Sequence, residues 1–356
     1  MKYLKGLDTL RALAAFIVVF DHLELIKQSN KLYNLVDHPT VIYPDGHLSV
    51  MLFFVISGFL ITYLLLVEKE KYGTVSIKNF YIRRILRIWP LYYMVLFLSY
   101  VIFQPDYSLL RIILPTLILP NIAYAFNEVW DVSPQIWSIG AEEQFYIFWP
   151  VIFLFIIKKK TVQYFLLLII GLTILPYFLK FVNLIFINSN EVYNVITRFF
   201  YGTKFNSLIM GALSGFIYFK NRYRTGFQKY NWLKIAITFL PFVLWFFQFR
   251  LNHLNDDFYS LLFSFSVFQI VGNSKIKIDN PVTKFLGRIS YGIYLYHWII
   301  IVFLVKYIPR TDNVALYNLI LYFSAISITV IISWLSFVTY ERYFLNMKKK
   351  YEMHKP

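Results

Sequence analysis

The chain has 356 residues, of which 58% are hydrophobic, 21% aromatic and only 15% charged, a balance that excludes a water-facing globular domain of this size. Its net charge of +16 does not point to nucleic acid, because Lys and Arg sit in short clusters between apolar stretches, as the positive-inside rule places them in membrane proteins. There is no cysteine, which excludes disulfides, thiol nucleophiles and Cys-ligated zinc and leaves His, carboxylates, Ser and Tyr for any catalysis.

A helix crosses a hydrocarbon core about 30 Å thick with roughly 20 mostly apolar residues. Such stretches occur at 10–26, 48–67, 88–104, 136–157, 161–187, 205–219, 234–249, 258–272, 289–307 and 315–340. The expected fold is an all-α integral membrane protein of about ten transmembrane helices. The first 26 residues have the basic start and apolar run of a signal peptide, but no small-residue cleavage site follows and Asp21, His22 and Glu24 interrupt the run, so they read as a retained first helix. Residues 109–125 are also apolar, yet they are short and carry Pro115 and Pro120, so they form either a crossing or a buried or interfacial segment. Basic clusters lie at 2–11, 69–87, 158–160, 220–234, 275–288 and 342–350. Ten crossings put all of them on one side, whereas an eleventh would move Lys158, Lys159 and Lys160 to the other. Both termini are therefore expected in the cytoplasm. The expected organisation is a single membrane domain over 1–345 followed by a basic cytoplasmic tail, 346–356, with no internal repeat evident and no appended soluble domain expected.

Charged groups at bilayer depth cost about 2.5–3.5 kcal/mol each on insertion scales, so those that persist pair with one another or line a functional cavity. His38, His47 and His253 fall in or beside external loops and His354 in the tail, which leaves His22 and His297 inside apolar helices. Arg11 and His22 are eleven residues apart, about three turns and roughly 16 Å on one helix face. A neutral imidazole at His22, with Asp21 and Glu24 nearby, suits a general base toward a hydroxyl; a buried His hydrogen-bonded to a neighbouring helix is the alternative. In FYIRRILRIWP, Arg84 and Arg87 share a face and either grip phosphates, such as those of an acyl-CoA, or anchor the helix beside anionic headgroups. In WSIGAEEQFYIFWP, Glu142 and Tyr146 face together while Glu143 points elsewhere. Glu142 either orients the His22 imidazole, as a carboxylate does in hydrolase triads, or pairs with an Arg for packing. In GRISYGIYLYHWI, Ser290, Tyr294 and His297 line one face, for hydrogen bonding within a site or as a structural stripe. Ser57 and Gly58 of FFVISGFLIT are assigned to close helix packing.

Taken in order, GLDTLRALAAFIVVFDH, FFVISGFLIT, FYIRRILRIWPLYY, WSIGAEEQFYIFWP and ISYGIYLYHW resemble the successive motifs of the acyltransferase-3 family of bacterial membrane O-acyltransferases, from Gly6 to about Glu341. The resemblance implies a ten-helix domain of the bacterial inner (cytoplasmic) membrane. It implies transfer of an acyl group, acetyl foremost, from cytoplasmic acetyl-CoA or another acyl-CoA to a hydroxyl of an envelope or exported glycan, whether lipopolysaccharide, peptidoglycan or another polysaccharide. It makes Arg11 and His22 the essential pair, gives Arg84 and Arg87 the handling of the donor, and matches Glu142 and His297 to family positions. Two departures stand out. Many members of the family carry an SGNH-type esterase domain that is not expected from these 356 residues, and the expectation is then that the chain either finishes the transfer itself or hands the acyl group to a separate extracytoplasmic protein. Ile139-Gly140-Ala141 precedes Glu142 where relatives often have Leu-Ser-Val.

The expected site therefore comprises His22 and Glu142 as catalytic groups, Arg11, Arg84 and Arg87 for the donor, and Asp21, Tyr146, Tyr294 and His297 around the substrate, with no metal, since no ligand cluster appears. Expected partners are acyl-CoA, a glycan or lipid-linked glycan and membrane lipids, not nucleic acid. Direct attack on the thioester and a transient acyl-histidine both remain open. A glycan transporter or flippase, with His22, Glu142 and His297 as a proton relay, is the rival reading, although the halves show no matching broken helices.

Overall fold

The protein is described by a computed structural model over residues 3–38, 41–157, 160–221, 232–273 and 275–351. Among these residues there are helices and no strands. Fourteen helices follow one another: α1 Leu7–Ser29, α2 Gly46–Tyr72, α3 Ile77–Phe103, α4 Leu109–Thr116, α5 Pro120–Ala125, α6 Trp137–Ile156, α7 Thr161–Val182, α8 Asn190–Thr203, α9 Phe205–Asn221, α10 Trp232–Phe246, α11 Asn255–Gly272, α12 Pro281–Tyr307, α13 Val314–Ser336 and α14 Arg342–Lys349. Lys158, Lys159, much of the 220–234 cluster and His354 lie outside the described residues.

Among the described residues six helices are long and apolar enough to cross a membrane: α2, α3, α6 with the turn before it, α7 extended to Ile187, α12, and α13 running on into α14. The other stretches expected to cross are helical too. However, α1 carries Asp8, Arg11, Asp21, Glu24 and Lys27, α9 and α10 are 17 and 15 residues long, and α11 opens on Asp256 and Asp257. Segment 109–125 folds as two helices of 8 and 6 residues, far short of the roughly 20 a crossing requires. They are held against the bundle by Tyr92 and Tyr93 hydroxyls donating to the Pro115 and Thr116 carbonyls and by a reciprocal amide pair of Asn121 and Gln144.

Local signals explain where the helices begin and turn. Asp45 caps α2 by accepting the His47 N–H at 2.7 Å, and Asn280 and Thr283 close a capping box on α12, with Pro281 in its first turn. Gly73 ends α2 in the left-handed region, at φ 76°, which lets the chain reverse into α3 within four residues.

Helix α2 runs through the core. A Cβ placed on Gly58 would lie 1.9 Å from the Leu208 carbonyl oxygen, and one on Gly211 would lie 2.1 Å from that of Val55, so α2 and α9 touch backbone to backbone, as small residues permit in membrane bundles. On the periphery, α7 turns Leu167, Ile174 and Phe178 outward. An apolar helix so exposed is explained by contact with lipid tails rather than water.

Candidate active site

Five helices enclose the first feature of note. A cavity of about 240 Å³ is lined by Arg11 of α1, Ser57 and Leu64 of α2, Arg84 and Arg87 of α3, Glu142 and Tyr146 of α6, and Ser290 and Tyr294 of α12, among others. The spacing argument for Arg84 and Arg87 holds: both point into one space, joined by Arg11 from another helix. None of the three makes an ion pair among the described residues, and Arg84 Nε is buried without a hydrogen-bond partner. Arg83, by contrast, is spent on Glu68 at 2.7 Å and on the Tyr351 carbonyl. Unpaired guanidinium groups around a cavity are a donor-rich lining for an anion.

The carboxylate in this cavity is held by α2. Glu142 accepts from the hydroxyls of both Ser57 and Tyr146, which lie 2.9 Å from each other. The Arg84 guanidinium covers the Tyr146 ring at 5.4 Å. Glu143, one residue on, turns away and accepts from the Trp89 indole at 2.7 Å, as the helical spacing predicts. Ser57 thus departs from its packing assignment, while Gly58 keeps it. The signal for Ser57 was its hydroxyl in an otherwise apolar run, whose partner on α6 is visible only in three dimensions. Ser138, not singled out in the sequence, meets the Tyr294 hydroxyl at 2.7 Å in the same lining.

A second constellation lies farther along α1 and α12. Nδ1 of His22 is 2.7 Å from Nε2 of His297, with the two rings stacked at 5.0 Å and the Trp298 ring edge-on to His22. Glu142, expected to orient His22, has Ser57 and Tyr146 as its partners instead; His297 fills the orienting place. Helical geometry explains the difference, because α12 packs tightly along α1, with a Gly287 Cβ placed 2.2 Å from the Asp8 carbonyl. Hydrogen-bond roles assign the tautomers of the neutral pair. The Ile293 carbonyl can only accept, so His297 Nδ1 donates to it at 3.2 Å. His297 Nε2 is then the acceptor, and His22 Nδ1 the donor. The lone pair left over is on His22 Nε2, on a ring that stays partly exposed while His297 is fully buried. His297 also leans on Tyr294 of the arginine cavity, with ring centroids 5.9 Å apart.

The neighbours of His22 in sequence are engaged elsewhere. Glu24 is buried in an ion pair with Lys27 at 2.6 Å, takes the Leu35 N–H and accepts from the Tyr322 hydroxyl. Asp21 lies against Gly46 at the start of α2, its Oδ2 2.5 Å from where a Cβ would sit, and is not part of the arginine cavity. The expected set therefore divides: Arg11, Arg84, Arg87, Glu142, Tyr146 and Tyr294 share one cavity, His22 and His297 form a pair beside it, and Asp21 belongs to neither.

Beyond the arginines, toward the α2–α3 turn, a further space of about 230 Å³ shares Leu64, Arg84 and Arg87 with the first and adds Lys71, Tyr72, Arg83 and Lys348. The tail is thereby tied to the bundle, its Lys348 lining this space and its Tyr351 carbonyl taking the Arg83 bond. The two spaces form a run of basic groups from the helix ends into the bundle.

Comparison with known proteins agrees with the motif order. Residues 4–338 match the family model described as an acyltransferase domain, of the acyltransferase-3 type. A protein of Staphylococcus aureus (strain COL), provisionally named an O-acetyltransferase, is 31% identical over 95% of this chain and 56% of its own length. The peptidoglycan O-acetyltransferase OatA of Listeria monocytogenes is 29% identical over 84% of this chain and 50% of its own, and the O-acetyltransferase OatA of Staphylococcus aureus (strain NCTC 8325) is 27% identical over 86% and 52%. The chain thus spans about half the length of the curated relatives it matches. No solved structure matches it. By motif order, by the match over nearly its whole length and by its all-helical membrane architecture, the chain belongs to the acyltransferase-3 family.

Proposed function

We propose that the chain is a membrane O-acyltransferase that moves an acyl group, acetyl foremost, from a cytoplasmic acyl-CoA to a hydroxyl of a cell-envelope glycan. It sits in the bacterial cytoplasmic membrane with about ten crossings. Both termini and the basic end of the bundle then face the cytoplasm, in keeping with the positive-inside rule. The observation that carries the reading is the unpaired trio Arg11, Arg84 and Arg87 around one cavity. Membrane anchoring alone has no use for guanidinium groups turned inward, whereas a ligand with phosphates does.

In this reading the basic space toward the α2–α3 turn receives the nucleotide end of the donor, with Arg84 and Arg87 between the two spaces, and the cavity of Arg11 accepts the slim pantetheine arm, with Glu142 holding the Ser57 and Tyr146 hydroxyls along its path. His22 lies about 16 Å beyond Arg11 along α1, a depth suited to the thioester. Its Nε2 takes the proton of the acceptor hydroxyl as that oxygen bonds to the thioester carbonyl carbon. The C–S bond then breaks, and the CoA sulfur leaves with the proton returned by the imidazolium. His297, through Nδ1 of His22, holds the ring in the tautomer that leaves Nε2 basic.

The donor site is tested by steady-state transfer with purified full-length protein. Arg84→Gln and Arg87→Gln should each raise KM for acetyl-CoA about tenfold or more, the worth of a lost charged hydrogen bond, and leave KM for the glycan unchanged. Unchanged KM for acetyl-CoA in both would remove the donor from this cavity.

A further inference from the structure

A second polar cavity, shared by several helices, lies at the opposite end of the bundle from the arginines. It measures about 430 Å³ and is lined by His47 at the start of α2, Thr173 and Tyr177 late in α7, Tyr201 and Lys204 at the end of α8, Asn206 at the start of α9, and Asp256 and Asp257 at the start of α11. That volume lies within the roughly 300–1,000 Å³ of small-molecule sites, and nothing in the donor chemistry uses it.

Its lining has two parts. One is an aromatic shelf: Tyr201 stacks on His47 at 4.9 Å and keeps 42% of its surface exposed, and behind the lining Trp137 packs against both, 6.3 Å from His47 and 6.2 Å from Tyr201. The other is a polar wall with acceptors at Asp256, Asp257 and Asn206. The Asp256 carboxylate is engaged by His47 Nε2 at 3.2 Å and by Lys204, while Lys180, which also lines the cavity, lies over the Tyr193 ring at 4.9 Å. Asp257 accepts from Asn206 at 3.1 Å, whose amide also donates to Thr173 at 2.9 Å. With both amide hydrogens spent, Asn206 Oδ1 is buried with no partner. The two carboxylates, Asp256 and Asp257, balance Lys180 and Lys204 in the lining, which leaves no net positive charge for a phosphate. A ligand rich in hydroxyl donors, with an apolar ring face, matches both parts of the lining.

Position joins this cavity to the chemistry. Asp21 packs on Gly46, which sets His22 and His47, the next residue on each helix, at the same level of the bundle. Trp137, on the shelf, packs edge-on against Phe54, and Phe54 lines the arginine cavity. The two cavities are thus separated by a wall of aromatic rings close to the level of the His22–His297 pair.

We infer that the far cavity is the acceptor's subsite: it binds a neutral hexose or N-acetylhexosamine unit of the glycan, with Tyr201 under the sugar ring and Asp257 and Asn206 taking its hydroxyls. This rests on the acyltransferase reading for its role, though not for its ligand chemistry. In the topology proposed above it opens on the outer face, where an envelope glycan is found, while the donor enters from the inner one.

The test uses purified full-length protein and two independent readouts. Binding of soluble chito-oligosaccharides and cello-oligosaccharides is followed by saturation-transfer NMR and calorimetry, and acetyl-CoA binding by calorimetry. Wild type should bind at least one of the sugars, Tyr201→Ala and Asp257→Asn should each weaken that binding about tenfold, the worth of one charged hydrogen bond or ring contact, and acetyl-CoA binding should be unchanged in both. Sugar binding that is absent in wild type, or equal in wild type and both variants, overturns the subsite and leaves the donor assignment standing. Sugar binding that depends on Tyr201 and Asp257, in a protein that transfers no acetyl group, upholds the subsite and sinks the enzyme reading instead.

Discussion

Nδ1 of His22 donates to Nε2 of His297 across 2.7 Å, and the Ile293 carbonyl beyond it fixes the direction of both bonds. Two helices far apart in the sequence thereby present one basic imidazole nitrogen. His297→Leu removes the acceptor for that bond while leaving the arginine cavity intact. It should lower kcat about 10- to 100-fold, the usual cost of losing an orienting partner, with KM for acetyl-CoA unchanged. His297→Gln, whose side-chain carbonyl can accept, should recover part of the loss. A wild-type rate in His297→Leu would mean that the pair is structural.

The α2–α9 contact sets a steric limit. Gly58→Ala and Gly211→Ala each place a methyl group about where a carbonyl oxygen already lies, 1.9 and 2.1 Å from the new carbon. Overpacking of this kind costs about 1–3 kcal/mol or more. Both variants should melt at a lower temperature than wild type in detergent, with Gly73→Ala, which meets no atom within 4 Å, as a probe of backbone strain alone. Undiminished melting temperatures in the first two would contradict the close approach.

Glu24 and Lys27 are 0% and 1% exposed, so removing the cation leaves a buried carboxylate. Lys27→Met should cost about 3–5 kcal/mol, and Glu24→Gln with Lys27→Met should cost less than Lys27→Met alone. Chemical or thermal unfolding of solubilised wild type and the two variants checks the order, and a double variant worse than the single would show that Glu24 stabilises through the Leu35 N–H and the Tyr322 hydroxyl rather than through Lys27.

Asp279, in the loop between α11 and α12, ties the chain start to the bundle. Partial burial pushes its carboxyl up, but the Gly6 N–H and the Thr9 and Tyr3 hydroxyls outweigh this and hold it below the ordinary carboxylate range. A folded-state value below the unfolded one of about 3.9 adds stability that is complete above that value and is lost as pH falls through the folded one. Asp279→Asn should therefore melt below wild type at neutral pH, and the gap should close as the solution is acidified through the range below about 3.9. A gap independent of pH would assign the effect to packing.

The parts of the site that announce themselves in the sequence are those set by one helix at a time. Arg84 and Arg87 share a face by their spacing, Glu142 and Tyr146 do so by theirs, and Glu143 is turned away by the same rule. The partner of His22 was not legible, because it lies on α12, and Glu142, at a plausible depth, is a contact of α2 instead. Ser57 read as packing because its neighbour Gly58 is packing; the two differ by about 100° around the helix, and only the placement of α6 tells them apart. Hydropathy marked the apolar stretch 109–125, and its prolines marked the break, but which short helices resulted depended on anchors from Tyr92, Tyr93 and Gln144. His47 looked like a loop histidine, since its partners, Tyr201 and Asp256, come from helices more than 150 residues away in the chain.

The most direct test of the account supplies membranes containing equal amounts of folded wild-type or His22→Ala protein with radiolabelled acetyl-CoA and follows label into envelope glycan. The account predicts label in glycan with wild type, none above background with His22→Ala, and undiminished acetyl-CoA binding by the variant. Glycan labelled at the wild-type rate by His22→Ala would contradict it.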